Sequence, residues 1–421
     1  MTGLLITGAR LADGTRGDLL LRGGRLVDPA ERAASDEVLD ADGLLALPGF
    51  VDPHTHLREP GREDAETVAT GTLAAARGGF TAVTTMANLN PVTDTANAVR
   101  NLRAIAAADA SAEVVVVGAI TRGLAGAELS DLAAMASEGV TIFSDDGRCV
   151  MDARLMREAM DLIRASGGVL AQHCQDHNLA GPSACCHECA ISDELGLPGW
   201  PSVAESSIIA RDVELAAYTG CRYHACHVST AESVEVIRWA KRRGLPVTAE
   251  VMPHHLLLET ALLRTGDTVY KVNPPLRTAE HVEAVRAALA DGTIDMVGTD
   301  HAPHAAKDKT KPFPEASPGM LGLEQALGVV LATMIEPGRL AWSDVPRILS
   351  AAPAALVGLR EQGRPLAVGE PANLVLVDPE ARAEVDREAT ASKSRNNPYA
   401  GLVLPDPIVA TFWRGVPTYR R

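Results

Sequence analysis

Apolar positions along the chain follow two rhythms. Short apolar runs bounded by Gly, Pro or Asp read as strands, and apolar residues recurring at threes and fours between them read as helices. Eight of the runs, "GFVDPHTHL", "TAVTTMAN", "EVVVVGAI", "GVTIFSDD", "GVLAQHC", "RYHACHVS", "VTAEVMPHHL" and "DMVGTDHA", lie in series through the middle of the sequence. Most are followed by a helix-like segment such as "DAETVATGTLAAARGG", "DARLMREAMDLIRASGG" or "AESVEVIRWAKRRG", with an acidic start and a closing glycine. Eight β–α units in series predict an α/β fold, a (β/α)8 TIM-like barrel. Further β-like runs stand near both ends: "LLITGARL" and "DLLLRGGRLVD" early, "ANLVLVDP" and "PIVATFWRGVP" late. The two ends are expected to pair as a small β-sandwich, residues 1–48 with 362–421, around a catalytic barrel of residues 49–361.

Composition narrows the partners. With 46% apolar residues the 421-residue chain can fill a large core. A formal net charge of -15 without a basic cluster argues against nucleic acid or an anionic membrane and favours a small-molecule substrate. No basic region precedes the first apolar residues, and no apolar run approaches the roughly 20 residues of a membrane span, so a cytoplasmic location is expected. All seven cysteines fall between Cys149 and Cys226, an odd number and a poor plan for a disulfide framework.

Polar residues at the ends of the predicted strands change the picture more. His54 and His56, Asn88, Asp146, His173, His227 and Asp300 all stand there, where the active sites of such barrels form. Side chains two apart on a strand share a face, so His54 and His56 can reach one metal ion, and Arg58 continues the same spacing. Taken alone, an H-x-H pair is more often surface or core histidine. His173, His227 and Asp300 supply the further nitrogen and oxygen donors that a hydrolytic zinc centre uses. Two metals need a bridging ligand, for which "FSDDG" offers Asp145 and Asp146; no lysine precedes Lys241, which removes a carboxylated lysine from the first six strands.

The set "DPHTHLREPG", "FSDDG", "HVST", "VNPPLR", "TDHAPH", "GMLGLE" and "GEPANLVLVDP" runs over nearly the whole chain and resembles the class I bacterial dihydroorotases of the amidohydrolase superfamily. The resemblance implies two zinc ions, one held by His54, His56 and Asp300 and the other by His173 and His227, with Asp146 bridging; Asp145 is left to position the turn. It implies reversible closure of N-carbamoyl-L-aspartate to L-dihydroorotate in pyrimidine synthesis, with metal-activated water as nucleophile and Asp300 as general acid and base. It gives Arg58, Asn88, Asn273 and His304 to the substrate carboxylate, and backbone contacts to Pro318 and Gly319 at the close of a long loop of lid character. A homo-oligomer is expected, and a complex with aspartate carbamoyltransferase remains open.

Two stretches depart from the family pattern. "MANLNP" keeps Asn88 but puts Ala87 and Leu89 where the family has proline and threonine, and "SACCHECAIS" crowds Cys185, Cys186, His187 and Cys189 into one loop. Loop residues and thiols are the default reading of that cluster, with a structural zinc site as the lesser one. Two rival readings of the whole chain stand beside the main one. Hydantoinases, dihydropyrimidinases and allantoinases share the fold, but typically use the bridging lysine and lack the arginine of "HLREPG". A noncatalytic scaffold for aspartate carbamoyltransferase would have lost metal ligands, and none is lost here.

Overall fold

The computed structural model describes residues 2–421. Five strands precede the barrel: β1 (Leu4–Leu11), β2 (Arg16–Arg22), β3 (Arg25–Val27), β4 (Glu37–Asp40) and β5 (Leu45–Pro48). β1 changes partner halfway along. Its first half lies parallel to β4 and its last residues parallel to β5, with the register broken around Gly8, where φ is +72°. A side chain is disfavoured at that φ, so glycine lets the strand bend and the sheet fold over its own core of Ile6, Leu21, Leu26, Leu374 and Phe412.

All eight predicted barrel runs are strands. They are β6 (Phe50–Thr55), β7 (Phe80–Thr85), β8 (Glu113–Val116), β9 (Ile142–Phe143), β10 (Val169–Gln172), then, after a short ribbon of β11 (Cys186–His187) and β12 (Gly199–Trp200), β13 (Arg222–Ala225), β14 (Val247–Val251) and β15 (Met296–Val297). Each pairs in parallel with its neighbour, in two arcs, β6 to β8 and β9 to β15. Single parallel bridges, Gly118 to Phe143 and Thr55 to His301, close the circle. Helices cover the outside, so most of these strands are buried on both faces and read as nearly continuous apolar runs. At the start of the barrel Phe50 and Phe80 meet edge to face, 5.7 Å between centroids, a pairing worth about 0.5–1.5 kcal/mol beyond area burial.

The helices begin where side-chain oxygens satisfy their free N–H groups. Thr67, Asp152 and Thr230 cap the helices Val68–Arg77, Ala153–Ala165 and Ala231–Arg242. The first of these starts later than its acidic residues suggest, which leaves Glu66 outside the helix and buried. Glu66 accepts instead from Ser392 Oγ, from the Lys393 N–H at 3.0 Å and from Thr70 Oγ1, so an apparent helix-start signal is a staple for the C-terminal tail.

That tail has two parts. β16 (Leu374–Val377) pairs antiparallel with β5. A separate hairpin of β17 (Arg382–Glu384) and β18 (Val403–Pro405) leans on the barrel, and β19 (Ile408–Trp413) and β20 (Val416–Arg420) complete the terminal sheet. Between the hairpin strands the chain leaves the sheet and crosses to the C-terminal end of the barrel strands. There Asn396 accepts from the His304 N–H and donates to the carbonyls of Ala302 and Gly319.

The hairpin docks on the helix Ala326–Val330 at a glycine. A Cβ on Gly328 would stand 2.3 Å from the Pro405 carbonyl oxygen, backbone that cannot swing aside. Gly328→Ala is therefore expected to destabilise the fold by about 1–3 kcal/mol, read as a lower urea midpoint with an unchanged slope.

Candidate active site

The first strand delivers its ligands through a buried clamp. Asp52 accepts from the His54 N–H at 3.0 Å, the Thr299 N–H at 3.1 Å and Thr299 Oγ1 at 2.6 Å. It thereby ties β6 to the chain after β15 and brings His54 and His56 beside Asp300. After Thr55 the strand ends, and Arg58 takes a left-handed φ of 62°. The expectation that Arg58 shares the strand face of the histidines is thus corrected: a turn, and not strand alternation, aims it.

The six predicted metal ligands converge. Asp146 Oδ1 lies 3.2 Å from His54 Nε2, 3.5 Å from His227 Nε2 and 3.8 Å from His173 Nδ1, and its Oδ2 is 3.4 Å from His56 Nε2. Asp300 Oδ1 is 2.9 Å from His56 Nε2 and 3.8 Å from His54 Nε2. His173 Nδ1 and His227 Nε2 are 2.9 Å apart. Burial opposes the charge on Asp146, but His54, His227 and His56 outweigh it and hold the carboxyl well below the usual range.

Outer partners set the imidazoles for coordination. His54 Nδ1 is 2.6 Å from Glu250 Oε1, His56 Nδ1 3.0 Å from Asn88 Oδ1, and His173 Nε2 3.0 Å from Gln175 Oε1. Each of those oxygens accepts, so each ring places one N–H outward and leaves its other nitrogen facing Asp146 or a neighbouring imidazole, where it would offer a lone pair to a cation that displaced its proton. Burial, first of all, draws His173 down to about 4, which keeps it a neutral donor. His54 Nε2 and Asp146 Oδ1 are buried without a hydrogen-bond partner, a costly condition for polar atoms unless a cation sits among them. The sets His54, His56, Asp300 and His54, Asp146, His227 each bring their ligand atoms within 4.8 Å of one another. The donors present fit a metal.

Backbone strain gathers here too. Of the five non-glycine residues with positive φ among the described residues, three are Arg58, His227 at 35° and Asp300 at 45°. Strained backbone persists only where its surroundings over-determine it.

Every predicted site position except His54 lines one cavity of about 200 Å³, and His54 is buried beside it against Asp146. Arg58 donates from Nε to the Pro303 carbonyl at 3.0 Å, and its Nη2 is 3.5 Å from His304 Nε2. Burial draws it down to about 10, so it stays cationic at neutral pH. His304, pushed down to about 2 by burial and then by Arg58, is neutral, and its Nε2–H donates to the Pro318 carbonyl at 2.8 Å. The Gly319 N–H is already bonded to the Lys271 carbonyl, and a Cβ on Gly319 would meet His304 Nε2 at 2.7 Å. Asn273 donates to Gln175 at 2.9 Å and approaches His173 Nε2 at 3.3 Å. Asn88, beyond lining the cavity, orients His56. Asp145 accepts from the N–H groups of Ile120 and Thr121 and from Thr121 Oγ1, and so positions the turn.

The family profile described as dihydro-orotase-like matches residues 43–233. Among curated relatives, the dihydroorotase of Leifsonia xyli is 54% identical over 98% of this chain and 95% of its own length. That of Streptomyces coelicolor is 52% identical over 99% and 98%.

The chain belongs to the dihydroorotase family.

The dihydroorotase of Mycobacterium tuberculosis is 48% identical over 99% of this chain and 98% of its own. Among solved structures, the L-hydantoinase (dihydropyrimidinase) of Arthrobacter aurescens superposes with a TM-score of 0.88, at 25% identity, over 100% of this chain and 96% of that one. A dihydropyrimidinase of Brevibacillus agri, at 22% identity and a TM-score of 0.86 over 100% and 95%, shows the same barrel fold. Members of the dihydroorotase family are metal-dependent cyclic amidohydrolases, and the convergent histidines and carboxylates agree with that chemistry.

Residue-by-residue reading of the sequence missed Asp52, Glu250 and Gln175. The first two had a signal: a single carboxylate inside an otherwise apolar strand must be bonded or it would not be there. The cysteines are free, Cys185 and Cys186 lie in an apolar cluster with Leu263, and among the described residues neither belongs to a group that could hold a metal.

Glu250 touches both halves of the centre, accepting from His54 Nδ1 and, at 3.4 Å, from the His227 N–H. Burial would raise its pKa, but His54 and His224 reverse this and keep it ionised. Glu250→Gln preserves the shape and removes the charge, so metal affinity, followed by chelator titration, is expected to fall about 10–100-fold.

Proposed function

We propose that the chain is a zinc dihydroorotase, interconverting N-carbamoyl-L-aspartate and L-dihydroorotate in pyrimidine synthesis. The observation that carries this is Arg58: a half-buried guanidinium in the cavity wall whose Nε donates to a carbonyl, while its Nη2 meets only an imidazole nitrogen that is itself a donor to Pro318. Such a group calls for an anion, and dihydroorotate brings a carboxylate that takes no part in the reaction. Hydantoin, dihydrouracil and allantoin, the substrates of the rival reading, carry none.

His54, His56 and Asp300 would hold one zinc and His173 with His227 the other, Asp146 bridging. Bound zinc supplies Lewis acidity toward a carbonyl and makes a water acidic enough to attack at neutral pH. Asp300, 2.9 Å from His56 Nε2 and held by a strained backbone, faces the cavity with a carboxylate suited to carrying a proton. In hydrolysis it takes a proton from the attacking water and delivers it to the ring nitrogen as the amide C–N bond breaks. In the synthetic direction it removes that proton from the ureido nitrogen and returns it to the departing water.

Arg58 and Asn273 fix the carboxylate, and His304, locked to Pro318, closes the wall behind it. The free lone pairs of the Pro318 and Gly319 carbonyls remain for the ring N–H groups. The reading includes a cytoplasmic homo-oligomer, with residues 1–48 and 362–421 as a terminal β-domain around a barrel of 49–361. Among the described residues no helix is long and apolar enough to cross a membrane.

Interconversion of carbamoyl-aspartate and dihydroorotate, abolished by chelation and restored by zinc, is the expected result; turnover of hydantoin or allantoin in preference would overturn the proposal. Arg58→Gln is expected to lower kcat/KM for dihydroorotate about 100-fold. The slow turnover of dihydrouracil, which has no carboxylate, should change only a few-fold.

A further inference from the structure

The cysteine-rich loop after the fifth barrel strand, which the catalytic reading leaves unused, ends on a buried cation. Its ribbon pairs Cys186 with Gly199 and His187 with Trp200. Both His187 and Trp200 face Arg277, the arginine of "VNPPLR". Arg277 Nη1 donates to His187 Nδ1 at 2.9 Å, and the guanidinium stacks 4.7 Å from the Trp200 ring centroid. The other edge reaches the turn after the sixth strand: Nε donates to Ser229 Oγ at 3.0 Å, and Nη2 is 3.6 Å from Glu205 Oε2.

Glu205 completes the clamp. It accepts the N–H groups of Ser229 at 3.0 Å and Thr230 at 3.1 Å, with both of their hydroxyls. These are the second and third residues after His227, whose φ of 35° needs restraint on both sides. Glu250 supplies it before, at the His227 N–H. On the other flank, Arg277 lies four residues beyond Asn273, in the segment that carries the cavity amide. One buried guanidinium therefore ties together the ribbon, the turn beyond a metal ligand and the substrate-binding segment.

Burying an arginine is costly, and well-packed apolar residues could fill the same volume with equal or greater stability. What the charged network adds is fixed geometry. Burial, then the nearby Arg277, draws His187 down to about 3, so it stands as a neutral acceptor for the guanidinium.

We propose that Arg277, held by Glu205 and by His187 of the ribbon, is a positioning residue for the half of the metal centre that contains His227, and that the cysteine-rich loop exists to present His187 and Trp200 to it. The proposal rests on the two-zinc reading above and concerns residues that touch neither substrate nor metal.

The test compares wild type with Arg277→Lys, His187→Leu and His187→Gln, and uses Cys189→Ser as a control. Zinc retained per chain is measured against increasing chelator, and kcat and KM for dihydroorotate are measured separately. Wild type should release zinc in two classes. In Arg277→Lys and His187→Leu one class should be lost at about 10–100-fold less chelator while the other holds as in wild type, and kcat should fall at least 10-fold. His187→Gln, which keeps an acceptor, should recover most of both, and Cys189→Ser should match wild type.

Wild-type zinc retention in both disruptive variants overturns the proposal. So does loss of all zinc in a single step together with a lowered Tm, or a wild type that binds zinc in one class only. Should His187→Leu fail to fold, Arg277→Lys and Glu205→Gln carry the same comparison. A wild type inactive on dihydroorotate would refute the proposed function, while the zinc measurements would still decide this point.

Discussion

Everything in this molecule turns on one carboxylate that has been taken out of water and surrounded by imidazoles from three other parts of the barrel. Asp146 is fully enclosed, yet His54, His56, His173 and His227 all stand within 3.8 Å of one of its oxygens. So many polar groups gathered without solvent are tolerable only if their lone pairs share a cation and their outer N–H groups have acceptors. The closed barrel meets that demand because its strands end in a ring, and a residue at each end points inward.

A second layer of buried carboxylates makes the arrangement rigid. Asp52 joins the first and eighth strands, Glu250 holds a histidine from each half of the centre, and Glu205 grips the turn beyond His227. These groups also flank His227 and Asp300, which keep backbone angles that a side chain disfavours. Preorganisation of this kind spares the reaction from reorganising its surroundings as charge moves.

Much of the architecture was legible beforehand, and for a definite reason. Strands buried on both faces are continuous apolar runs, and a polar residue at the end of such a run interrupts it visibly, as His54, His173 and Asp300 do. The outer layer was harder to read. Asp52 and Glu250 sit within strands whose neighbours are apolar, and only the fold reveals what they bond. Arg58 misled because its spacing imitated strand alternation while the backbone had already turned left-handed, and Glu66 looked like a helix opener although its partners Ser392 and Lys393 lie more than three hundred residues away. Arg277 and His187 belong to segments with no common pattern in sequence; their relation exists only in three dimensions.

The crossing of the C-terminal segment carries a consequence for synthesis of the protein. Asn396 bonds to Ala302, His304 and Gly319, and Ser392 and Lys393 bond to Glu66. During translation the barrel strands emerge first, but the wall that carries His304 and Gly319 gains its brace only once residue 396 has cleared the ribosomal tunnel. A polypeptide halted shortly before that point would own every histidine and carboxylate of the centre and still leave the pocket's rim unfastened, so competence arrives late.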